Sequence, residues 1–142
     1  MFSKQHLLST LVAAVTMFFL GYLIWGVATV DFFEGHTINS VMKDPPLFPF
    51  IILANLIAAF TLCVIYGKWA RGYHSMGGGF QFGVWIGIFV GLGMGLLWYG
   101  TSEMMDLQGH LVEAVLEIVY YGIVGMVIGL MFKATQPKGE NA

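Results

Sequence analysis

Two glutamates lie inside an otherwise apolar segment of the chain. Glu113 and Glu117 belong to residues 111–132, which otherwise consist of Val, Leu, Ile, Ala, Gly, Tyr, Met and Phe. A carboxylate is costly in hydrocarbon, so it is usually kept there for a function or a buried partner. At about 100° per residue, His110, Glu113 and Glu117 fall on one side of a helix. This group predicts a site for a proton or a cation.

Further polar side chains are expected at the depth of Glu117. Asn55 lies 13 residues before Lys68, and Glu117 lies 16 residues before Lys133. With a rise of about 1.5 Å per residue, the two side chains differ in depth by about one helical turn. We therefore predict one polar intramembrane site, formed by Glu113, Glu117, His110, Asn55, Tyr120 and Tyr121.

Two interpretations of this site stay open. In the functional one, the site is reached from outside the membrane and holds a proton or a cation. In the structural one, Glu117 is protonated at neutral pH, shielded from bulk water and hydrogen-bonded to Asn55 or a tyrosine, which satisfies a buried polar group. The structural interpretation is favoured, because one deep carboxylate without a basic partner is too little for a proton relay.

The composition indicates a membrane protein. The 142-residue chain is 58% hydrophobic and only 10% charged, which is less charge than a soluble domain carries. A helix needs about 20 apolar residues to cross a bilayer. We expect an all-α fold of one domain, a polytopic bundle of four transmembrane helices in contact with lipid, followed by a flexible tail at 134–142. The predicted helices are 7–30, 48–67, 80–99 and 111–132.

Several classes of function are disfavoured by the residue content. The net charge of −2 provides no basic patch for nucleic acid. Cys63 is the only cysteine, which excludes an internal disulfide and a thiolate-rich metal site. The histidines lie near predicted helix ends or in loops, which disfavours an axial haem pair. No serine stands in a Gly-x-Ser-x-Gly motif. We therefore predict no enzyme activity, no cofactor and no metal ion.

Glycines recur at every fourth position of the third predicted helix. They are Gly79, Gly83, Gly87, Gly91 and Gly95. This spacing places them along one face, where small residues let two helix backbones approach closely, as in a glycine zipper. The fourth helix carries Gly125 and Gly129. We predict that these glycines serve helix packing, within the bundle or between copies; a pore or a moving seam is the alternative. Residues 77–79 are expected to form a flexible loop before the third helix.

Short motifs give the chain a family likeness. Residues 20–26 read Leu-Gly-Tyr-Leu-Ile-Trp-Gly and lead to Asp31-Phe32-Phe33, and the fourth helix ends in Gly125-Met-Val-Ile-Gly129. Asn55 closes a Leu-Ala-Asn motif in the second helix. The pattern resembles the small bacterial four-helix membrane proteins grouped as domains of unknown function, and is nearest to the family numbered 1761. The resemblance implies a multi-pass protein of the bacterial inner (plasma) membrane and carries over no activity.

Two functions are compatible with these features. The first is a structural or accessory subunit that packs through its glycine faces against itself, as a homo-oligomer, or against a larger membrane complex. The alternative is a small transporter or channel for protons, cations or a small solute, with its polar site around Glu117. A water-accessible cavity beside Glu117 within one protomer would favour transport. Contact of the third helix's glycine face with another chain would favour the packing role.

The basic residues predict the orientation, which reporter fusions can test. Five of the six Lys and Arg residues flank the N-terminus, the loop between the second and third helices, and the C-terminus. Because basic residues near helix ends favour the cytoplasm, both termini should be cytoplasmic and residues 31–47 should form an irregular cap outside. Fusions at Ala142 and within residues 31–43 should therefore report opposite sides. Reports from the same side would contradict the four-helix topology.

Overall fold

The computed structural model describes residues 2–139, and within that range all regular elements are helical apart from one isolated bridge between Thr37 and Met105. Two of the helical elements are π-helical segments, Tyr22–Ala28 and Ile88–Met94, and each directly follows an α-helix. The last three residues of the predicted tail lie outside the described range. The α-helices are α1 (Lys4–Gly21), α2 (Val30–His36), α3 (Phe48–Ala70), α4 (Met76–Gly87), α5 (Gly95–Thr101) and α6 (Leu107–Ala134).

In the described part of the chain, four continuous helical stretches are long and apolar enough to cross a membrane, which confirms the predicted all-α fold with four long apolar helices. They are longer than predicted, mainly at their polar ends, because hydropathy marks only the apolar part of a helix. Three of them begin earlier than predicted, where Ser3, Ser75 and Asp106 cap the first turn, whereas the first stretch ends at Ala28, two residues before the predicted end. The stretches are Lys4–Ala28, Phe48–Ala70, Met76–Thr101 and Leu107–Ala134.

Capping explains one wrong prediction. Residues 77–79, expected as a flexible loop, lie in the first turn of α4. The hydroxyl of Ser75 accepts a hydrogen bond from the backbone N–H of Gly78 at 2.9 Å, which starts the helix before its apolar part. Asp106 begins α6 in the same way, because its carboxylate accepts from the N–H of Gly109 at 2.8 Å.

The two ends of the bundle are built differently. At one end, here called the termini end, α1 begins, α6 ends and α3 turns into α4. Tyr66 of α3 contacts Phe82 of α4 and Phe132 of α6 there, with ring centroids 5.4 and 5.2 Å apart. Gln5 of α1 donates to the carbonyl of Phe132 at 2.8 Å. All four stretches therefore meet in one aromatic core at this end.

The opposite end, here called the α2 end, is closed by loops. Residues 31–47 form α2 and then an irregular segment, so they are not one continuous helix. The N–H of Ile38 donates to the carbonyl of Met104 at 2.8 Å, and His36 Nδ1 lies 2.8 Å from Asp106 Oδ2. The hydrogen bond from Gly109, followed by that from His36, holds the pKa of Asp106 below its usual range. These contacts join the α2 segment to the start of α6.

Between these ends, α1 and α6 occupy the middle of the bundle. Helix α1 packs against both α3 and α6, and α4 packs along α6. The backbones of α4 and α6 approach most closely at the glycines. A Cβ added to Gly87 would lie 2.5 Å from the Cα of Ile118, and one added to Gly91 would lie 2.7 Å from the carbonyl oxygen of Ala114. Only glycine fits at these two positions, and the facing helix belongs to the same chain.

The other predicted packing glycines divide into two groups. A Cβ on Gly79 or Gly83 would overlap the backbone of α6, and a Cβ on Gly125 or Gly129 would overlap the chain at the start of α4. Gly95 differs, since a Cβ there meets no atom within 4 Å. At about 100° per residue, residues four apart drift about 40° per step around a helix, so a ladder of five glycines does not stay on one contact face.

Matched glycine substitutions test this interface. Gly87→Ala should lower the melting temperature in detergent, because overpacking against backbone costs about 1–3 kcal/mol. Gly95→Ala should leave it unchanged or raise it, because alanine is the better helix former by about 1 kcal/mol. Gly87→Leu should disrupt the fold far more than Phe89→Leu, whose side chain is 65% exposed. Equal melting temperatures for both alanine variants would contradict the close α4–α6 contact.

Candidate functional site

A cavity of about 620 Å³ lies between α1, α3 and α6, on the side of the aromatic core that faces the α2 end. Its volume is within the range of about 300–1,000 Å³ that is common for small-molecule sites. It opens to the surface instead of being enclosed. The side chains with polar atoms or indole rings that line it are Tyr22, Trp25, Asn55, Glu117, Tyr120 and Tyr121.

Local sequence explains why the space is not filled. Ala54 and Ala58 face the cavity from α3, and Gly21 and Gly26 face it from the α1 side, so none of these positions supplies a large side chain. The π-helical segment Tyr22–Ala28 continues α1 along the cavity and changes which residues face it. Single π-turns of this kind are often found at functional sites.

The structure brings four of the six predicted site residues to this one cavity: Glu117, Asn55, Tyr120 and Tyr121. Glu117 is half-buried and, among the residues that the structure describes, is the only acidic or basic residue in the lining. No Lys, Arg or His lines the cavity within residues 2–139. Glu117 therefore has no basic neighbour among the described residues of the cavity wall.

The expected hydrogen bond between Glu117 and Asn55 or a tyrosine is not formed within the described residues. The amide nitrogen of Asn55 donates to the carbonyl of Ile51 on its own helix at 3.0 Å. The hydroxyl of Tyr120 donates to the carbonyl of Met17 on α1 at 3.2 Å. Both side chains thus donate to backbone carbonyls and not to Glu117. Glu117 is thus left to interact with whatever occupies the cavity.

Glu113 lies one turn nearer the α2 end and has its own partner. The indole Nε1–H of Trp25 donates to Glu113 Oε2 at 2.9 Å. The ring of Trp25 also meets the ring of Tyr120 edge-on, with centroids 5.1 Å apart. Sequence reasoning missed Trp25 as a partner, because periodicity within one helix does not show which residue of another helix faces it.

His110 does not take part in the cavity. Its side chain is only 5% exposed and packs against the ring of Tyr99 in α5, with centroids 5.8 Å apart. It lies about 10 Å along the helix from Glu117, so a shared side of α6 does not bring the two groups together. Within residues 2–139, no group of three His, Cys, Asp or Glu residues is arranged to hold a metal ion.

Comparison of the chain with protein-family models, with curated protein sequences and with solved structures gave no match. The site is therefore interpreted from its own chemistry. An open cavity with aromatic and small apolar walls, one carboxyl group and one amide suits reversible binding of a small ligand.

Cysteine labelling tests whether water reaches the cavity. Ala54→Cys and Ala58→Cys should react with a membrane-impermeant thiol reagent in native membranes, because a thiol in water can ionise and react. Ile57→Cys is the matched control: this residue of the same helix is 59% exposed, lies outside the cavity lining and should face lipid. Cys63, fully buried, keeps the wild-type background low. Equal labelling of all three variants, or of none, would contradict an aqueous cavity.

Proposed function

We propose that this chain is a multi-pass integral membrane protein that acts as a small carrier or channel and holds a proton, a cation or a small solute at Glu117. One observation carries the proposal: Glu117, the only acidic or basic residue in the lining within residues 2–139, borders an open space of about 620 Å³ inside a single protomer. A carboxyl group kept in a membrane without a basic partner is a functional site by default.

The placement in a membrane rests on the four long apolar stretches and on their exposed surface. Large apolar side chains point outward along them, including Phe50, which is 68% exposed. Water would make such a surface unfavourable, whereas lipid would not. We further propose a bacterial inner membrane, from the resemblance to the family numbered 1761. Cytoplasmic termini are supported by Lys4, Lys68 and Lys133, which all lie at the termini end.

A second candidate is the accessory subunit or homo-oligomer. It is weakened by the glycine face of α4, which is occupied by α6 of the same chain and so is not free for another copy. It is favoured by α3, whose main packing partner is α1 and whose other sides carry exposed apolar residues. A neighbouring membrane protein, like lipid, could cover that surface.

Flux into liposomes tests the carrier or channel. Wild-type protein should dissipate an imposed proton or monovalent-cation gradient, followed with an entrapped dye. Glu117→Gln should reduce the flux to that of empty liposomes while keeping the melting temperature, because the amide preserves shape and removes the charge. Glu34→Gln, which makes the same charge change on an exposed residue of α2, should leave the flux intact. If wild-type protein gives no flux, the accessory candidate replaces this one, and co-purification in mild detergent identifies its partner.

A further inference from the structure

The charges around the cavity favour a positive ligand. Glu117 lines the cavity, and Glu113 lies one turn away on the same helix. No basic side chain lines the cavity within the described residues. A carboxylate in a cleft with apolar walls attracts a positive charge more strongly than it would in bulk water, since the walls focus its field.

The residues that line the cavity suit an organic cation better than a bare metal ion. Hard cations such as Ca²⁺ take about six to eight oxygen ligands, and Mg²⁺ needs near-ideal octahedral geometry. Among the described residues, the side chains that line this cavity offer one carboxylate, one amide oxygen and the hydroxyls of three tyrosines, so only one ligand is anionic. The open volume of about 620 Å³ is also far larger than an ion of that kind occupies. The remaining walls are apolar and aromatic, which suits apolar substituents.

Aromatic rings come from all three helical stretches around the cavity. Tyr22 and Trp25 extend from the α1 side, Phe48 from α3, and Tyr120 and Tyr121 from α6. The faces of such rings attract cations, and aromatic cages are the common way in which proteins bind quaternary ammonium groups.

Several of these rings are held in place before any ligand arrives. Trp25 is fixed by its hydrogen bond to Glu113, and Tyr120 by its bond to the carbonyl of Met17. Tyr120 and Tyr121 also meet edge-on, with centroids 5.0 Å apart. A wall that is already ordered loses less side-chain freedom on binding, which favours affinity.

We propose that the ligand of this cavity is an organic cation, an ammonium group with apolar substituents, whose charge pairs with Glu117 and packs against the surrounding rings. This inference rests on the proposed function, in which the cavity takes up a solute. It adds the chemical class of that solute.

Binding of benzyltrimethylammonium to the full-length protein in maltoside micelles, followed by calorimetry, tests the inference. N-benzylacetamide, a neutral compound of similar size, is the matched ligand and should bind at least roughly tenfold more weakly. Glu117→Gln should weaken binding of the cation by roughly tenfold or more and leave that of the neutral compound unchanged. Glu34→Gln should change neither. Tyr121→Leu should weaken cation binding by roughly threefold to tenfold, whereas Tyr121→Phe should retain it.

The remaining outcomes distinguish failure of the organic-cation proposal from failure of the proposed carrier or channel. Equal binding of the cation and the neutral compound, unaffected by Glu117→Gln, would overturn the organic cation and leave a solute site. No binding of either compound, together with flux that depends on Glu117, would also overturn the organic cation and keep the carrier or channel. No binding and no flux would overturn both. If Glu117→Gln does not fold, the comparison of the two compounds on wild-type protein still decides whether the cavity prefers a cation.

Discussion

The close contact between the backbones of α4 and α6 is the constraint on which the rest of the structure depends. Without side chains at Gly83, Gly87 and Gly91, the two helices approach until backbone meets backbone. In lipid, where no hydrophobic force draws helices together, such close packing is a main source of association. The contact also sets the rotation of α6. With its glycine side committed to α4, α6 directs Tyr120 toward α1, where the hydroxyl donates to the carbonyl of Met17, and Glu117 borders the cavity beside it.

The second determinant of the structure is that side chains fill the space between the helices at one end of the bundle and leave it open toward the other. At the termini end, Tyr66, Phe82 and Phe132 occupy the space between helices. Toward the α2 end, the corresponding positions of α3 are Ala54 and Ala58, and the space stays open. The loops at the α2 end then close over the bundle through backbone hydrogen bonds and the contact of His36 with Asp106. The cavity is thus a consequence of small residues placed between two ends that are each fixed.

Properties of a single helix could be predicted from the sequence, whereas contacts between helices could not. The four apolar stretches could be predicted because hydropathy and length are properties of one segment. The common depth of Asn55 and Glu117 could be predicted because the rise per residue of a helix is nearly constant. The partnership of Trp25 with Glu113 needed the rotation of one helix relative to another, which the spacing within either helix does not contain. Gly95 continues the four-residue repeat but meets no neighbouring atom, which the spacing alone could not show because it does not tell where the contact between two helices ends.

The hydrogen-bond partners of the polar side chains around the cavity indicate the role of Glu117. A carboxyl group that served only to join helices would be expected to bond to donors in the same cavity wall, such as Asn55 and Tyr120. Both instead bond to backbone carbonyls, and the indole of Trp25 bonds to Glu113. A polar group that loses water without gaining a partner costs about 1–3 kcal/mol, and more when it is charged. Water or a ligand must therefore supply the partner of Glu117, and the surrounding rings determine which ligands can do so in place of water.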